Sequence, residues 1–451
     1  MIHDTIAAIA TAPGQGGVGI VRLSGTEAER ILTEVFRPAG KSSAPLISHM
    51  LTYGYVMDKG EKVDECMAVI MRAPRSYTRE DVCELQTHGG SYTCQKVLEI
   101  CLAHGARLAE PGEFTRRAFL NGRIDLSQAE AVMSLIAARG QQAHKAAIQQ
   151  LEGGASSFIR KAADALYQAA AGAAACIDYP EEISEEEAAS DLLPQLEKIA
   201  DTIAGACDER ASRLIENGLR VTLCGRPNAG KSSLLNALLG EDRAIVTAIP
   251  GTTRDVVTGQ LMLGGCEIHL TDTAGLRETD DPVEMIGVKR SGRAMEQADV
   301  VLAVLDASEA LADDDRAMLA KLAPEDTIIL LNKGDLPAKI TPDEAGKALP
   351  GAMVMQVSAA KADTLAPLKR ELAARAAVSD RVQLTQPRHL EAARRAERHI
   401  RQAVDTLAMG MPIDLCTVDL QAAQAALGEI TGDQVEEKLL DAVFNQFCVG
   451  K

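Results

Sequence analysis

The run Gly225-Arg226-Pro227-Asn228-Ala229-Gly230-Lys231-Ser232 has the spacing G-x-x-x-x-G-K-[ST], and it lies between an apolar strand-like run, Val221–Cys224, and a helical run, Ser232–Leu239. In that context it reads as a triphosphate cradle. The glycines let the backbone curl until its N–H groups face a β-phosphate, Lys231 brings a fixed positive charge, and the Ser232 hydroxyl can ligate Mg²⁺. Asp272-Thr273-Ala274-Gly275 ends a later strand-like run, which puts Asp272 near the Mg²⁺ through water and the Gly275 amide near the γ-phosphate. Asn332-Lys333-Gly334-Asp335 ends another and reads as N-K-x-D. The Asp335 carboxylate can accept from both N1–H and N2–H₂ of guanine, and adenine offers no such pair. Ser358-Ala359 is the expected backing loop for the base, and Thr253, within Gly251-Thr252-Thr253-Arg254-Asp255, can complete the Mg²⁺ shell. These segments, in this order, imply a guanine-nucleotide site.

The γ-phosphate surroundings are less usual. Leu276 follows Gly275 where many GTPases carry a glutamine that orients water, and a leucine cannot do that. Two substitutes stand in range: Glu284, in the segment after the Gly275 turn, and Asn228, inside the phosphate loop. An amide oxygen at Asn228, joined by carbonyls from Ala244–Gly251, can hold a monovalent cation beside the β/γ oxygens, where it would do the electrostatic work of an arginine finger. A solvated helix carboxylate is the plain alternative for Glu284.

The elements that must position these residues follow from the pattern of the chain. From Gly218 to about Ala376 strand-like runs (Val221–Cys224, Val256–Leu263, Glu267–Asp272, Val300–Asp306, Thr327–Asn332) alternate with helical segments, the signature of a doubly wound α/β domain. Before it, Met1 to about Phe119 carries short alternating runs (Gly19–Arg22, Glu65–Met71, Val82–Thr87) around one helical stretch, Tyr92–His104, which predicts a small α+β unit. Between them, Leu120 to Asn217 is rich in Ala, Leu, Glu and Gln with apolar spacings of three and four. It predicts helices over Leu126–Arg139, Gln142–Gln150 and Ala155–Ile177. The acidic stretch Glu181 to Asp191 reads as a solvated loop and helix start. From Val382 onward the pattern is helical again, so the α/β unit reads as an insertion whose flanks pair into one bundle.

Composition bounds the rest. The chain has 451 residues, 46% hydrophobic and 25% charged, enough for several cores. A formal net charge of −17 argues against general electrostatic nucleic-acid binding, and 3% aromatic content with no Trp argues against a base-stacking platform. Ten scattered cysteines without a CxxC pair suggest reduced thiols in cytoplasm, and no membrane span or leader is read. Gly14-Gln15-Gly16-Gly17-Val18-Gly19 spells G-x-G-x-x-G but precedes a strand-like run, so it reads as a tight loop, not a dinucleotide turn. Cys83, His88, Cys94, Cys101 and His104 could be imagined as a zinc cluster, but Cys94 and Cys101, seven apart on a helical stretch, read better as two core cysteines. His88-Gly89-Gly90 reads as a turn opening a helix. Arg388, Arg394, Arg395, Arg398 and Arg401, interleaved with Glu391 and Glu397, read as helix-surface ion pairing.

The runs Gly225–Ser233, Gly251–Asp255 and Asp272-Thr273-Ala274-Gly275-Leu276-Arg277, with the ending Phe447-Cys448-Val449-Gly450-Lys451, resemble the MnmE (TrmE) tRNA-modification GTPases. Asp4-Thr5-Ile6-Ala7-Ala8, Gly16-Gly17-Val18-Gly19-Ile20-Val21-Arg22 and Pro111-Gly112-Glu113-Phe114-Thr115 carry the same resemblance. It implies a multidomain α/β + α fold. An N-terminal α+β folate-binding and dimerisation domain would span 1–119, a split helical bundle domain 120–217 and 377–451, and an inserted Ras-like P-loop GTPase domain 218–376. It also implies a homodimer that works with the flavoprotein MnmG, in a heterotetramer or larger complex. Together they would add a carboxymethylaminomethyl or aminomethyl group at C5 of the wobble uridine of certain tRNAs, drawing on 5-formyl- or 5,10-methylene-tetrahydrofolate.

The resemblance places K⁺ on Asn228, Thr247, Ile249 and Thr252, Mg²⁺ on Ser232 and Thr253, and the water-positioning carboxylate on Glu284. The nucleotide set becomes Asn228, Ala229, Gly230, Lys231, Ser232 and Ser233; Thr247, Ala248, Ile249, Pro250, Gly251, Thr252 and Thr253; Asp272, Thr273, Ala274 and Gly275; and Asn332, Lys333, Asp335, Ser358 and Ala359. Folate contacts fall on Arg22, Glu84, Arg123 and Lys451, with Cys448 as a packing or pocket-lining thiol. The rival from another class is a GTP-switched ribosome or RNA assembly factor without group transfer. Such proteins usually carry a basic appendage, whereas the flanks here are acidic.

Overall fold

The computed structural model describes residues 4–40, 45–182, 184–241, 258–272, 297–379, 384–435 and 437–450. Two compact units are formed, one from Met1–Ile136, Gln149–Ala204 and Glu391–Lys451, the other from Ala137–Ile148 and Gly205–Leu390.

The first unit opens with β1 (Ile6–Ile9), β2 (Gly16–Ser24), α1 (Ala28–Val35), β3 (Phe36–Pro38), β4 (Thr52–Asp58), β5 (Glu61–Met71), β6 (Val82–Gly89), α2 (Ser91–Ala103), β7 (Arg107–Leu108) and α3 (Glu113–Leu120). The strands form one sheet in the order β3-β4-β5-β6-β2-β1-β7, antiparallel except for the β1–β7 pair. Apolar side chains on alternate positions of β2 and β6 (Val21, Leu23, Cys83, Leu85) pack with Ile31, Leu32, Val97 and Cys101 of α1 and α2. One sheet face is thereby buried under helices, the arrangement that alternation predicts. The G-x-G-x-x-G run departs from expectation. Only its start is loop, because β2 begins at Gly16 and pairs with β6 across a register shift between Gly16 and Val18. The run needs glycine at Gly19 for a packing reason, since a Cβ there would sit 2.1 Å from the Cys94 sulfur of α2.

Helices follow: α4 (Leu126–Ala137), α5 (Gln141–Leu151), α6 (Gly154–Asp178), α7 (Glu185–Gly205) and α8 (Glu209–Asn217). The second unit continues with β8 (Leu219–Cys224), α9 (Lys231–Glu241), β9 (Thr258–Leu263), β10 (Cys266–Asp272), β11 (Val300–Asp306), α10 (Asp313–Leu319), β12 (Thr327–Asn332), α11 (Pro342–Ala348), β13 (Met353–Gln356) and α12 (Ala366–Ala376). The chain closes with α13 (Pro387–Ala408), α14 (Ile413–Thr431) and α15 (Glu437–Phe444).

In the first unit α6 buries Ile159, Ala162, Leu166, Ala169 and Ala173 at helical spacing and packs along α14, which offers Leu420, Ala423, Leu427 and Ile430. Segments from both sides of the α/β region thus share this unit. The acidic stretch opens α7, where Glu185, Glu186 and Glu187 occupy the first turn and favour the positive end of the helix dipole. Helix-surface pairing on α13 appears as Arg395–Glu429 at 2.6 Å and Arg401–Asp201 at 2.9 Å.

The second unit holds a sheet in the order β13-β12-β11-β8-β10-β9, parallel except for the β9–β10 hairpin. Strands β11 and β12 are apolar along almost their whole length because both sheet faces are covered, one core holding Leu223, Leu234, Leu270 and Leu302, the other Val301, Leu305, Ile329 and Leu331. The first turn of α5 belongs here too. The Gln142 amide donates to the Gly265 carbonyl at 3.3 Å, and Gln142 Oε1 accepts from the Val378 amide at 3.2 Å.

Candidate functional site

In the second unit the parallel strands deliver their chemistry at their C-terminal ends, where open α/β sheets bind ligands. Strand β8 runs straight into the Gly225–Ser232 loop and α9 starts at Lys231. Gly225 has φ 148°, and a Cβ on it would lie 2.3 Å from the Val304 carbonyl oxygen of β11. Gly230, at φ 91°, leaves room for the Asn332 amide, which donates to the Ala229 carbonyl at 2.9 Å. The two glycines therefore do separate jobs: one passes the loop over β11, the other ties it to the base-reading loop. Lys231 is 5% exposed and its Nζ donates to the Gly225 and Arg226 carbonyls at 2.6 and 2.8 Å. Burial lowers its pKa, and Asp272 pulls the other way. An ammonium held this way gains most from a phosphate oxyanion placed beside it.

Ser232 Oγ donates to Asp272 Oδ2 at 2.8 Å, bringing the ends of β8 and β10 together. An all-oxygen pair of this kind fits Mg²⁺, a hard cation. Asn228 is exposed and holds φ 66° within the loop.

The base side is equally organised. Asn332 is 1% exposed, and its Oδ1 accepts from the Ala359 amide at 3.2 Å. Asp335 Oδ1 accepts from Ser358 Oγ at 2.6 Å, and that hydrogen bond holds the carboxyl below its ordinary value. Lys333 adopts φ 61° and its Nζ donates to Asp306 Oδ2 at 2.5 Å. Burial would raise the Asp306 carboxyl, but hydrogen bonds from Lys333 and Ser308 outweigh it and keep it low. Asp306 and Ser308 were not singled out from the sequence. The signal was there: Asp306 ends β11 as Asp272 ends β10.

In the first unit a different set converges. Arg22 Nε donates to Glu84 Oε1 at 2.9 Å across the β2–β6 pair. Arg22 Nη1 donates to the Gly450 carbonyl at 3.3 Å, so the C-terminal tail reaches the pair. The tail is pinned by a bridge between Pro111 and Val449 and by the Gly112 amide donating to the Cys448 carbonyl at 3.4 Å. The Arg22 guanidinium lies 5.6 Å from the centre of the Tyr77 ring and 5.7 Å from that of Phe114, and Arg123 lies 4.7 Å from the same Tyr77 ring. Arg22, Glu84, Arg123 and the tail thus surround one patch whose walls are aromatic and whose polar groups include a side-by-side donor and acceptor. That chemistry fits a flat heterocycle with an amino-substituted edge. Tyr77 and Phe114 were missed as site residues; in a chain so poor in aromatics their presence was the available signal.

Cys448 is exposed, which excludes the core-packing half of its expected role, and Phe447 takes the buried position beside it. No group of three or more His, Cys, Asp or Glu among the described residues could hold a metal ion. Cys83, Cys94 and Cys101 are instead buried, as expected of core thiols, and burial pushes the Cys101 thiol up to about 12. Glu284, Thr247, Ala248, Ile249, Pro250, Gly251, Thr252, Thr253, Thr273, Ala274, Gly275 and Lys451 lie outside the described residues.

Residues 126–448 match the family described as the MnmE helical domain, and residues 5–123 match the GTP-binding protein TrmE N-terminus. The tRNA modification GTPase MnmE of Symbiobacterium thermophilum is 47% identical over 460 residues, with 100% of both chains covered. The protein of that name from Heliobacterium modesticaldum is 45% identical over 470 residues, again with 100% of both covered. That from Lactiplantibacillus plantarum is 42% identical, covering 99% of this chain and 98% of the relative. Similarity of this depth across the whole length, over a phosphate loop and a base-reading loop already joined by Asn332, means that the chain belongs to the MnmE family of tRNA modification GTPases.

Proposed function

We propose that this GTPase is stimulated by K⁺ and works as a cytoplasmic homodimer with the flavoprotein MnmG. Their product is a carboxymethylaminomethyl or aminomethyl group at C5 of the wobble uridine of certain tRNAs, with the one-carbon unit taken from a tetrahydrofolate derivative. Residues 1–119 bind the folate and dimerise, 120–217 with 377–451 form the helical domain, and 218–376 turn over the nucleotide. No helix among the described residues is long and apolar enough to cross a membrane.

In this reading Lys231 and the loop amides orient the triphosphate, Ser232 and Thr253 hold Mg²⁺ with Asp272 behind it, and Asp335 selects guanine. Glu284 orients the attacking water, a task Leu276 cannot perform. Asn228, with Thr247, Ile249 and Thr252, holds K⁺, which when bound supplies positive charge beside the β/γ oxygens. Arg22, Glu84, Arg123 and Lys451 hold the folate. One observation supports the group-transfer reading over an assembly-factor reading: Arg22 meets Gly450, 428 positions away, at the Glu84 pair. A switch that only binds RNA has no use for a tail delivered to an aromatic-walled polar patch.

The experiment is mass analysis of wobble uridines in tRNA from cells lacking this protein. Loss of the C5 group, restored by the wild-type gene but not by Lys231→Ala, is expected. Normal wobble uridines together with a ribosome-assembly defect would overturn the reading in favour of the rival.

A further inference from the structure

Beside the Arg22–Glu84 patch the first unit carries a cavity of about 480 Å³ that includes Arg75, Arg79, Arg123, His49, Ser76 and Tyr77 in its lining. No carboxylate lines it. Its three arginines are exposed and none of them pairs with a described carboxylate, whereas Arg22, Arg72, Arg107 and Arg117 of the same unit each do. In a chain of net charge −17, three adjacent unneutralised guanidiniums mark a place built for negative charge. The wall is also held in shape. Arg79 Nη1 donates to the Asn121 carbonyl at 3.0 Å, Arg123 Nη1 to the Tyr77 carbonyl at 2.9 Å, and His49 Nε2 to the Arg75 carbonyl at 2.8 Å. Tyr77 belongs to both regions, with Arg22 on one side and the cavity on the other.

We infer that this cavity receives the poly-γ-glutamyl tail of the folate, so that the protein prefers long-chain polyglutamates to the monoglutamate. The inference rests on the folate reading proposed above and adds to it the form of the cofactor that is taken up. Folates in cells carry chains of γ-linked glutamates, each with a free α-carboxylate. A guanidinium is a planar fork matched to a carboxylate, and three along one lining offer a chain of such groups more than one partner. The depression is wide open on its outer side, so a flexible chain can lie along it without threading.

The test is calorimetric titration of the full chain with monoglutamyl and pentaglutamyl 5-formyl-tetrahydrofolate. The pentaglutamate is expected to bind roughly tenfold more tightly, an advantage that shrinks as salt rises. In the Arg75→Ala/Arg79→Ala double variant the ratio is expected to fall to near one while the monoglutamate still binds. If that variant binds neither compound, the Arg75→Gln/Arg79→Gln pair, which keeps side-chain bulk without the charge, decides: a ratio near one with monoglutamate binding intact supports the tail site and an unchanged ratio overturns it. Equal affinities in the wild type, or an unchanged ratio in the alanine variant, would overturn the inference and leave the folate reading standing. Failure of the wild type to bind either compound would instead remove the folate reading itself. Loss of tRNA affinity in the alanine variant with the ratio intact would reassign the cavity to a phosphate backbone.

Discussion

Replacing Asp335 by Asn tests whether the base-reading loop does what its geometry suggests. Ser358 Oγ donates to one carboxylate oxygen at 2.6 Å, so that oxygen is committed to the loop and the other faces outward. An asparagine that keeps the Ser358 hydroxyl as its donor presents the amide oxygen to it. Its NH₂ then points at the two donors of guanine. Two charge-assisted hydrogen bonds, each worth about 1.5–3 kcal/mol, are lost. The expected weakening of GTP binding is about 3–6 kcal/mol, on the order of 10²- to 10⁴-fold. Xanthine carries an acceptor at C2 in place of the amino group, so the same variant should gain affinity for XTP. The carboxyl titrates below its ordinary 3.8, chiefly through the Ser358 hydrogen bond, so it is ionised throughout the neutral range. Wild-type guanine preference should accordingly stay flat from about pH 5 to 9. Equilibrium titration with labelled GTP, XTP and ATP reads all three affinities. Unchanged GTP affinity, or an equal loss for GTP and ATP, would refute the assignment.

Glu284→Ala should leave GTP affinity intact and slow hydrolysis in K⁺ by about 10²-fold or more, and near-normal turnover would remove Glu284 from the mechanism. Replacing K⁺ by Na⁺ should also slow hydrolysis, because a cage of carbonyls and one amide suits the larger ion; equal rates in the two salts would discard the cation site. Arg117 has a side chain only 1% exposed, bonded to Asp4 at 2.7 Å, Glu80 at 3.2 Å and Glu113 at 3.3 Å. Arg117→Ala removes the buried partner these carboxylates share and should cost about 3 kcal/mol, the low end for a broken buried pair because Asp4 is 41% exposed and Asp4 and Glu113 keep Arg107. Burial pushes Asp4 and Glu113 up, yet hydrogen bonds from the arginines hold both below their ordinary 3.8 and 4.5. Their stabilisation is therefore complete above that range and lost as pH falls through the depressed folded values. The variant should lose less on acidification than the wild type in urea melts, and identical melts at neutral pH would sink the argument.

Where chemistry is carried by contiguous residues the sequence was nearly sufficient. Strands Val300–Asp306 and Thr327–Asn332 have the predicted bounds, because continuous apolar runs closed by a polar residue leave few other readings. Helices predicted at Tyr92–His104 and Ala155–Ile177 are found at Ser91–Ala103 and Gly154–Asp178. Less was legible where neighbours decide. Strand β1 went unread because four small or branched apolar residues do not distinguish strand from buried helix. Strand β2 was begun too late because its glycines look like loop until α2 is placed against them. The start of α5 was read with the helical flank, yet its Gln142 is satisfied by backbone groups of Gly265 and Val378, more than a hundred residues on.

The two sites differ in how folding makes them. Every candidate nucleotide-site residue described lies at a strand end or in the loop after it, so each motif is already assembled when its strand joins the sheet, and forming the sheet brings the motifs together. The Arg22 patch has no such local unit. Its pair spans 62 positions and its tail contact 428, so neither side chain carries a signature of its own and both depend on the first unit closing on its last residues. Loop-closure entropy makes such contacts late and weakly held unless something else secures the tail. Phe444 and Phe447, buried against Leu126 and Ala129, provide that anchor at three residues from Gly450. A tail secured this way carries Gly450 to the Arg22 pair only when the helical flank is folded. Folate binding should therefore report on the integrity of the whole first unit and not of the sheet alone.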